Sequence, residues 1–485
     1  MKNSFLLIFF MAIAQLSLSQ SCLPDGIVFD TQDKIDNFSS NLPDCSVIEG
    51  NVIISGDVMS LEGLGQLTEI QGKLIIRQTS SLSSLIGLDH LTTVGDTLRI
   101  TKNSSLQSLN GLGGLTSLGN VFSVTQNALL SDFTGLTNLM SVEGDFRIVN
   151  NDALINFNGL ESLTSVGSIL CDSNAVLMNL TGLESLTAIT DTLRLLSLPM
   201  LSSLDGLQNV TSVGGNLNIN SNSSLSSVES LSNIASIGMG FQIKNCDNLF
   251  AINNLNNLIS VGWHLRIAGN QNLGVVGGLS SLESIGGNLG LLDNPVISSI
   301  DGLSNLSSIG QSLVLADNPL ILSLENFASL QSIEGNLYID NMGGLISLTG
   351  LENIDASLLS GLQITNNSNL SECAIAPICD YLQPENQDNI QITNNDGNCV
   401  SAVQVNMACA TSTTEEAETF KIYPNPTTNY LYFDSLQDLK YTIINSSGNI
   451  MISDKLSNGM INVSALSKGV YRIRSSIGIQ RFIKL

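Results

Sequence analysis

Charge is scarce in this 485-residue chain: 12% of residues are Asp, Glu, Lys or Arg, about half of the ~25% usual in soluble domains. Basic residues are scarcest, 18 Lys+Arg against 42 Asp+Glu, for a formal net charge of −24. A globular nucleic-acid binder needs a basic excess to neutralise phosphates, so this balance argues against that class. Aromatics make up 5%, with one Trp, and there are two His. Two His and no Cys-x-x-Cys leave no zinc pattern, and GxxxxGK[ST], GxGxxG, HExxH and GxSxG are all missing. Neither a metal nor a cofactor is expected. No apolar run reaches eighteen residues, so no transmembrane helix is expected. Disorder does not follow from the low charge, because 43% of residues are apolar and mean hydropathy is +0.25, enough for a long core.

The N-terminus has the pattern of a secretory signal. Lys2 precedes the apolar run Phe5 to Ala14, and Ser17-Leu18-Ser19 places small residues before a cleavage point ahead of Gln20. Residues 1–19 are therefore read as a signal peptide and the rest as exported, where cysteines form disulfides.

What the chain has in abundance is self-similarity. A Gly-Leu marker recurs at Gly63, Gly87, Gly111, Gly135, Gly159, Gly182 and Gly206, with degenerate copies at Ser230, Asn254, Gly278, Gly302, Asn326 and Gly350. Eleven of the twelve intervals are 24 residues and one is 23. Each copy holds a short alternating stretch such as Thr97-Leu98-Arg99-Ile100-Thr101, with Leu98 and Ile100 inward and the others outward. A repeat of this length is too short for strand–helix–strand and predicts a parallel β-solenoid of about 13 coils, with helix only in the caps. Three residues after the inward Ile stands a recurrent Asn: Asn103, Asn127, Asn151, Asn174, Asn222, Asn270, Asn294, Asn318 and Asn367. Its amide can donate to and accept from turn backbone that stacking would bury, which predicts an architectural role. Thr79, Leu198, Cys246 and Met342 replace it in four coils.

Asn-Gly-Leu-x-x-Leu-Thr-Ser-Leu-Gly together with Leu-x-Ile-x-x-Asn resembles the receptor L-domain type of leucine-rich repeat, over about residues 45–400. The resemblance implies a right-handed β-solenoid. Thirteen coils exceed a single such domain, so no receptor's ligand carries over.

Solenoid ends need plugs. Cys22 and Cys45 flank an N-terminal cap (20–56), and Cys373, Cys379, Cys399 and Cys409 lie in a C-terminal cap (371–409), bracketing the repeats at 57–370. A Cys22–Cys45 bridge and two C-terminal bridges are expected; of three possible C-terminal pairings, Cys373–Cys399 with Cys379–Cys409 is favoured. Cys171 and Cys246 lie three coils apart, about 14 Å at ~4.8 Å per strand, beyond disulfide reach. They are expected as free, buried thiols. Asn394-Asn395-Asp396-Gly397-Asn398 offers one carboxylate and reads as a turn rather than a calcium loop.

Residues 410–419 read as a polar linker, and beyond it the charge reverses: from Phe420 onward there are 8 basic and 3 acidic residues, against 9 and 39 in 3–419. Strand-like runs predict a small antiparallel β-sandwich at 420–485. Tyr423-Pro424-Asn425-Pro426, Gly469 and Tyr471, and the terminal Arg481-Phe482-Ile483-Lys484-Leu485 resemble the type A C-terminal sorting domain of the type IX secretion system of Bacteroidetes. That resemblance implies the secretion machinery as a partner, passage across the outer membrane, removal of the domain, and release or anchoring at the cell surface.

The candidate binding residues are basic. Eight of the nine in 3–419 fall on predicted outward strand segments: Lys73, Arg77, Arg99, Lys102, Arg147, Arg194, Lys244 and Arg266. Arg99, Arg147, Arg194 and Arg266 share one slot and would form a file with gaps of about 10, 10 and 14 Å. Such a file suits an extended anion such as a charged glycan; equally, Arg on an exposed sheet keeps an apolar surface soluble. Trp263 and His264 stand beside Arg266, where the ring either stacks on a sugar or packs a corner. Between Asp293 and Glu418 no residue is basic, and Leu292, Val314, Ala316 and Tyr338 form either an apolar protein-binding patch or a featureless sheet surface. The sequence thus reads as a secreted or cell-surface, non-catalytic binding or adhesion protein that holds a glycan or protein on its sheet face. The alternatives are a polysaccharide-degrading enzyme on a β-solenoid, whose outward acids would be Asp145, Asp172 and Asp340, and a structural spacer with no ligand.

Overall fold

Alternating Leu-x-Ile segments bury one side only if the same segment of the next repeat lies beside them, and that is the arrangement found. The computed structural model describes residues 20–383, 389–412, 422–433, 440–445, 450–456, 459–475 and 478–485. The expected signal peptide and residues 413–419 of the expected linker lie outside these. Contacts divide the chain into two units, up to residue 405 and from 406 onward.

The first unit is a parallel β-solenoid. Sixteen short strands, from Ile27–Thr31 to Ile390–Thr393, are joined by fifteen parallel pairings. This is about fifteen turns rather than thirteen, because both caps contribute rungs. Ile27–Thr31 stacks on Val52–Asp57, and Ile390–Thr393 stacks on Gly361–Thr365, although neither end strand follows a Gly-Leu marker. Equivalent residues are in register: Leu98 pairs with Phe122, Phe122 with Phe146, and Phe146 with Ile169. Short 3-10 turns recur inside the solenoid, whereas among the described residues the α-helices stand near the ends, at Gln32–Asp36, Phe38–Asn41, Ala376–Tyr381 and Ala402–Ser412. The last of these corrects the linker boundary. Residues 410–412 complete a helix, because the run from Ala402 contains no Gly or Pro to stop it.

The core is a column of identical layers. In one coil Leu106, Leu109, Leu112, Leu115, Leu118, Phe122 and Val124 are all fully buried. Each contributes about 1.5–3 kcal/mol relative to exposure, but only when neighbouring coils cover it. Aromatics in successive coils lie face to face: Phe122 on Phe146 at 4.8 Å and 3°, and Phe133 on Phe157 at 5.4 Å and 19°.

The recurrent Asn forms a buried ladder along this column. Asn127 Oδ1 accepts from the backbone N–H of Asn103 (3.1 Å) and from its Nδ2 (3.1 Å), while Asn127 Nδ2 donates to the Ile100 carbonyl (3.0 Å). The same bonds repeat from Asn151 to Asn127 and from Asn294 to Asn270. The expected turn extends the ladder, for Asn395 Oδ1 accepts from the Asn367 N–H. Immediately before the ladder runs a file of left-handed residues, among them Gln78, Lys102, Gln126, Asn150 and Asn245, with φ of 53–59°.

Eleven of the thirteen marker positions take one of two structural forms, and Asn254 and Gly278 take neither. Gly87, Gly111, Gly135, Gly159, Gly182, Gly206 and Gly350 adopt φ of 102–116°. A Cβ at Gly111 would fall 1.9 Å from the Leu85 carbonyl oxygen of the preceding coil, so only Gly fits. Gly63, Ser230, Gly302 and Asn326 instead sit inside 3-10 turns without a positive φ, which accept a side chain at Ser230 and Asn326, whereas a Cβ at Gly63 would fall 2.2 Å from the Ile35 carbonyl oxygen.

Cys22–Cys45 and Cys373–Cys399 are disulfides near the two ends, and Cys379 and Cys409 are disulfide-bonded as well. Cys171 and Cys246 are free and buried, in an inward strand slot and the Asn slot respectively.

The second unit contains two antiparallel sheets, one of Ile422–Tyr423, Tyr430–Phe433 and Met460–Asn462, the other of Lys440–Asn445, Ile450–Lys455, Gly469–Ser475 and Gly478–Lys484. They enclose a core that includes Leu431, Ile443, Ile461, Tyr471, Ile473 and Phe482. The paired motifs meet here. Asn425 donates to the Arg481 carbonyl (2.8 Å) and accepts from the Ile483 N–H (2.9 Å), and Tyr471 stacks on Phe482 at 5.6 Å.

Candidate binding face

Because strand residues alternate, each outward slot becomes a file running from coil to coil. The file of Arg99 reads Ile75, Arg99, Ser123, Arg147, Leu170, Arg194, Asn218, Gln242, Arg266, Gly290. All four arginines stand in this single file and are exposed, two, two and three rungs apart, or about 10, 10 and 14 Å at ~4.8 Å per rung.

The other named bases flank it. Arg77 and Lys244 occupy the file two residues further along the strand, seven rungs apart. Three residues expected on strands lie just beyond their ends. Lys73 and His264 immediately precede the strands Leu74–Thr79 and Leu265–Ala268, and Lys102 follows Leu98–Thr101 in a left-handed turn at φ 59°. The coil must bend at these points, so the strand is shorter than the alternating pattern.

Between the rungs a shallow groove of about 690 Å³ is lined by Arg77, Arg99, Lys102 and Arg147, with Ser123 and Leu170. A smaller one of about 300 Å³ adjoins it, with Arg147, Arg194, Asp145 and Asp191 on its walls. Two bases are neutralised locally. Arg147 donates through Nη2 to Asp145 at 2.5 Å, and Lys73 lies 3.6 Å from Asp96. The Asp96 carboxyl is held below its usual range by hydrogen bonds from Asn120 and Thr97, with Lys73 adding its charge. Among the described residues the other six bases of this face form no ion pair within 4.0 Å.

Trp263 sits at the edge of the face and is 49% exposed. Its ring lies over Gly287 of the next coil, where a Cβ would fall 2.3 Å from Cδ1. His264 leans the other way, over Gly240, where a Cβ would fall 2.6 Å from Nε2. Gly290 follows Arg266 in its file, so Trp263 and Arg266 both border a coil without side chains at those slots. Neither the glycine floor nor the Asp145 partner of Arg147 was anticipated, although Asp145-Phe146-Arg147 carries the i, i+2 signal of a same-face pair.

The apolar residues Leu292, Val314 and Tyr338 are half-buried and Ala316 is buried. Tyr338 titrates above its usual value through burial and then the charges of Asp340 and Asp317. The outward acids are dispersed: Asp172 and Asp340 share a file seven rungs apart, and Asp145 stands in another. Among the described residues no group of three or more His, Cys, Asp or Glu is placed to hold a metal ion, and no helix is long and apolar enough to cross a membrane.

Residues 44–111 match the family model of the Receptor L domain, and residues 421–484 match that of the secretion system C-terminal sorting domain. The chain thus carries a receptor L-domain repeat, which the solenoid continues far beyond residue 111, and a type IX sorting domain, which directs export to the cell surface or beyond. Among solved structures the chain is similar to one titled "Crystal structure of TLR13-ssRNA13 complex", at 14% identity and a TM-score of 0.21. The match covers 72% of this chain and 66% of that one, just under two thirds of its length. No curated protein matches the sequence.

Proposed function

We propose that this is an exported, non-catalytic binding protein whose Arg99–Arg147–Arg194–Arg266 face docks an extended anionic partner. One observation carries the reading. In a segment with 39 acids and 9 bases, eight bases stand on the outward strand segments or immediately beside them, and among the described residues six of these form no ion pair within 4.0 Å. Solubility does not call for this placement, since the acids already charge the surface.

The energetics favour a polymer over a small anion. An exposed ion pair is worth about 0.2–1 kcal/mol, so a single carboxylate would bind feebly. A partner that spans the file engages several arginines at once, and the later contacts are effectively intramolecular. Retention of the full chain on immobilised heparin tests this. Despite its net charge of −24, the protein is expected to bind, the Arg99→Ala/Arg147→Ala/Arg194→Ala variant to flow through, and Lys34→Ala, off this face and paired with Asp30 at 2.8 Å, to behave as wild type. Flow-through of the wild type, or retention of the triple variant, overturns the proposal.

A further inference from the structure

The arginine file precedes the Asn ladder in each coil, and the residues just past the ladder form a different flank. On this flank Phe250, Val275, Val296, Leu320, Leu322 and Ile346 are 37–62% exposed. They follow the ladder slots Cys246, Asn270, Asn294, Asn318 and Met342, so they mark five successive coils, about 19 Å at ~4.8 Å per rung. The coils are held in step here. The Gly274 N–H donates to the Phe250 carbonyl and the Ser298 N–H to the Gly274 carbonyl, both at 2.9 Å, and Val275 pairs with Ser299. Leu322 leans over Gly344 in the coil of Ile346, where a Cβ would fall 2.7 Å from its Cδ2. Single exposed apolar side chains need no explanation, but a contiguous run of them marks an interaction site.

Charge frames the run and selects what covers it. Residues 267–412 contain 14 Asp and Glu and no Lys or Arg. Asp293 and Asp317 stand exposed at left-handed positions before Val296 and Leu320, with φ of 51° and 57°, and Asp301 and Glu325 stand exposed on the 3-10 turns that follow. Bonds from the next coil hold two of these carboxylates, Asn341 donating to Asp317 at 2.7 Å and Asn326 to Asp301 at 2.8 Å. An anionic membrane surface or a nucleic acid is repelled by such a rim, and a second copy docking through the same flank meets like charge. Strand addition finds no free edge, because backbone N–H groups here already bond to the neighbouring coil. Recognition falls to side chains, and a helix with apolar residues at i, i+3, i+4 and i+7 presents them in one stripe. About 13 helical residues, at ~1.5 Å each, match the length of the run.

We infer that this flank docks a cationic amphipathic helix of a protein partner, lying along the solenoid axis with its apolar stripe over Leu322 and Ile346 and its Lys or Arg side chains against the acidic rim. The inference is independent of the anionic-docking reading, since it concerns another flank and the opposite charge. Ile155, Val176, Met178 and Met200 form a similar cluster on the same flank, 40–50% exposed. There, however, Arg147 and Arg194 stand on the strands that lead into Ile155 and Met200, so charge complementarity singles out the run from Phe250 to Ile346.

Fluorescence anisotropy of labelled peptides titrated with the full chain tests the inference. The probes are an amphipathic Leu/Lys helix of about 14 residues, a peptide of the same composition with its leucines scrambled, and a Leu/Glu counterpart; phosphatidylserine vesicles are the lipid comparison. The amphipathic Leu/Lys peptide is expected to bind most tightly, and less so as salt rises. Leu322→Ser/Ile346→Ser is expected to weaken it at least about tenfold, and Leu322→Lys alone to weaken it as well. Met178→Ser/Met200→Ser and Arg99→Ala/Arg147→Ala/Arg194→Ala are expected to bind it as wild type does. Equal binding of the scrambled peptide, tighter binding of the Leu/Glu peptide or the vesicles, unchanged affinity in Leu322→Ser/Ile346→Ser, or no binding at all overturns the inference. Wild-type dimerisation that the same variant abolishes assigns the run to a second copy and overturns it too. Heparin retention is untouched by any of these outcomes, so the anionic-docking reading stands or falls separately.

Discussion

Replacing Asn127 with Ala tests the stacking architecture at its most buried polar point. Asn127 is fully buried, and its side chain joins three coils. It accepts from the Asn103 N–H and Nδ2, donates to the Ile100 and Thr125 carbonyls, and reaches Asn151 Oδ1 at 3.3 Å. Ala leaves the Asn103 N–H without its acceptor, at about 1–3 kcal/mol for an orphaned buried amide, and removes amide bonds worth about 1 kcal/mol more. The expected loss is about 2–4 kcal/mol, local to neighbouring coils because each coil touches only the next. Asn138→Ala is the control, since its amide also reaches the preceding coil, at the Gly113 carbonyl, but is exposed; it is expected to stay within about 0.5 kcal/mol. Urea unfolding gives the loss, and hydrogen exchange places it: protection is expected to fall at Asn103 and to be unchanged near Asn294. A loss for Asn127→Ala no larger than the control's, or exchange rising uniformly along the solenoid, would refute the reasoning.

Two further outcomes follow from the core. Burial pushes the Cys171 thiol up to about 12 and the Cys246 thiol up to about 11, from an ordinary 9.0. Above pH 9 the unfolded chain releases these protons and the folded chain keeps them, so stability falls as pH rises, by about 1.4 kcal/mol per thiol per unit. Urea midpoints from pH 8 to 11 should decline less steeply in Cys171→Val/Cys246→Asn than in wild type; parallel curves would contradict the assignment. At Gly135, with φ of 111° and a Cβ that would fall 2.4 Å from backbone of the preceding coil, Ala is expected to cost at least about 3 kcal/mol. Gly302→Ala, in a 3-10 turn, provides the comparison: there a Cβ would meet backbone at 2.8 Å, so a smaller loss is expected, measured in the same urea assay.

Much of this fold is legible in the sequence because one period repeats. A 24-residue interval superposes Leu98, Phe122 and Phe146, and the recurrent Asn marks the ladder. What escapes the period is local. Ile27–Thr31 is a rung without a marker, visible only as alternating residues. Gly63 and Gly206 carry the same marker yet take different turns, and the preceding residues do not separate them: Ser60-Leu61-Glu62 leads into a 3-10 turn, whereas Ser203-Leu204-Asp205 leads into a Gly turn at φ 116°. The arginine file was readable from spacing alone. The way Trp263 lies on Gly287 was not, since it depends on a missing side chain one coil away.

The most direct test of the binding face is the salt dependence of heparin affinity for the full chain. Each arginine that neutralises a polymer charge releases counterions, so removing Arg99, Arg147 and Arg194 should flatten the slope of log K against log[salt] by about one unit per residue. A slope unchanged by the triple substitution would mean that the anion is held elsewhere, and the file would be only a solvated sheet surface.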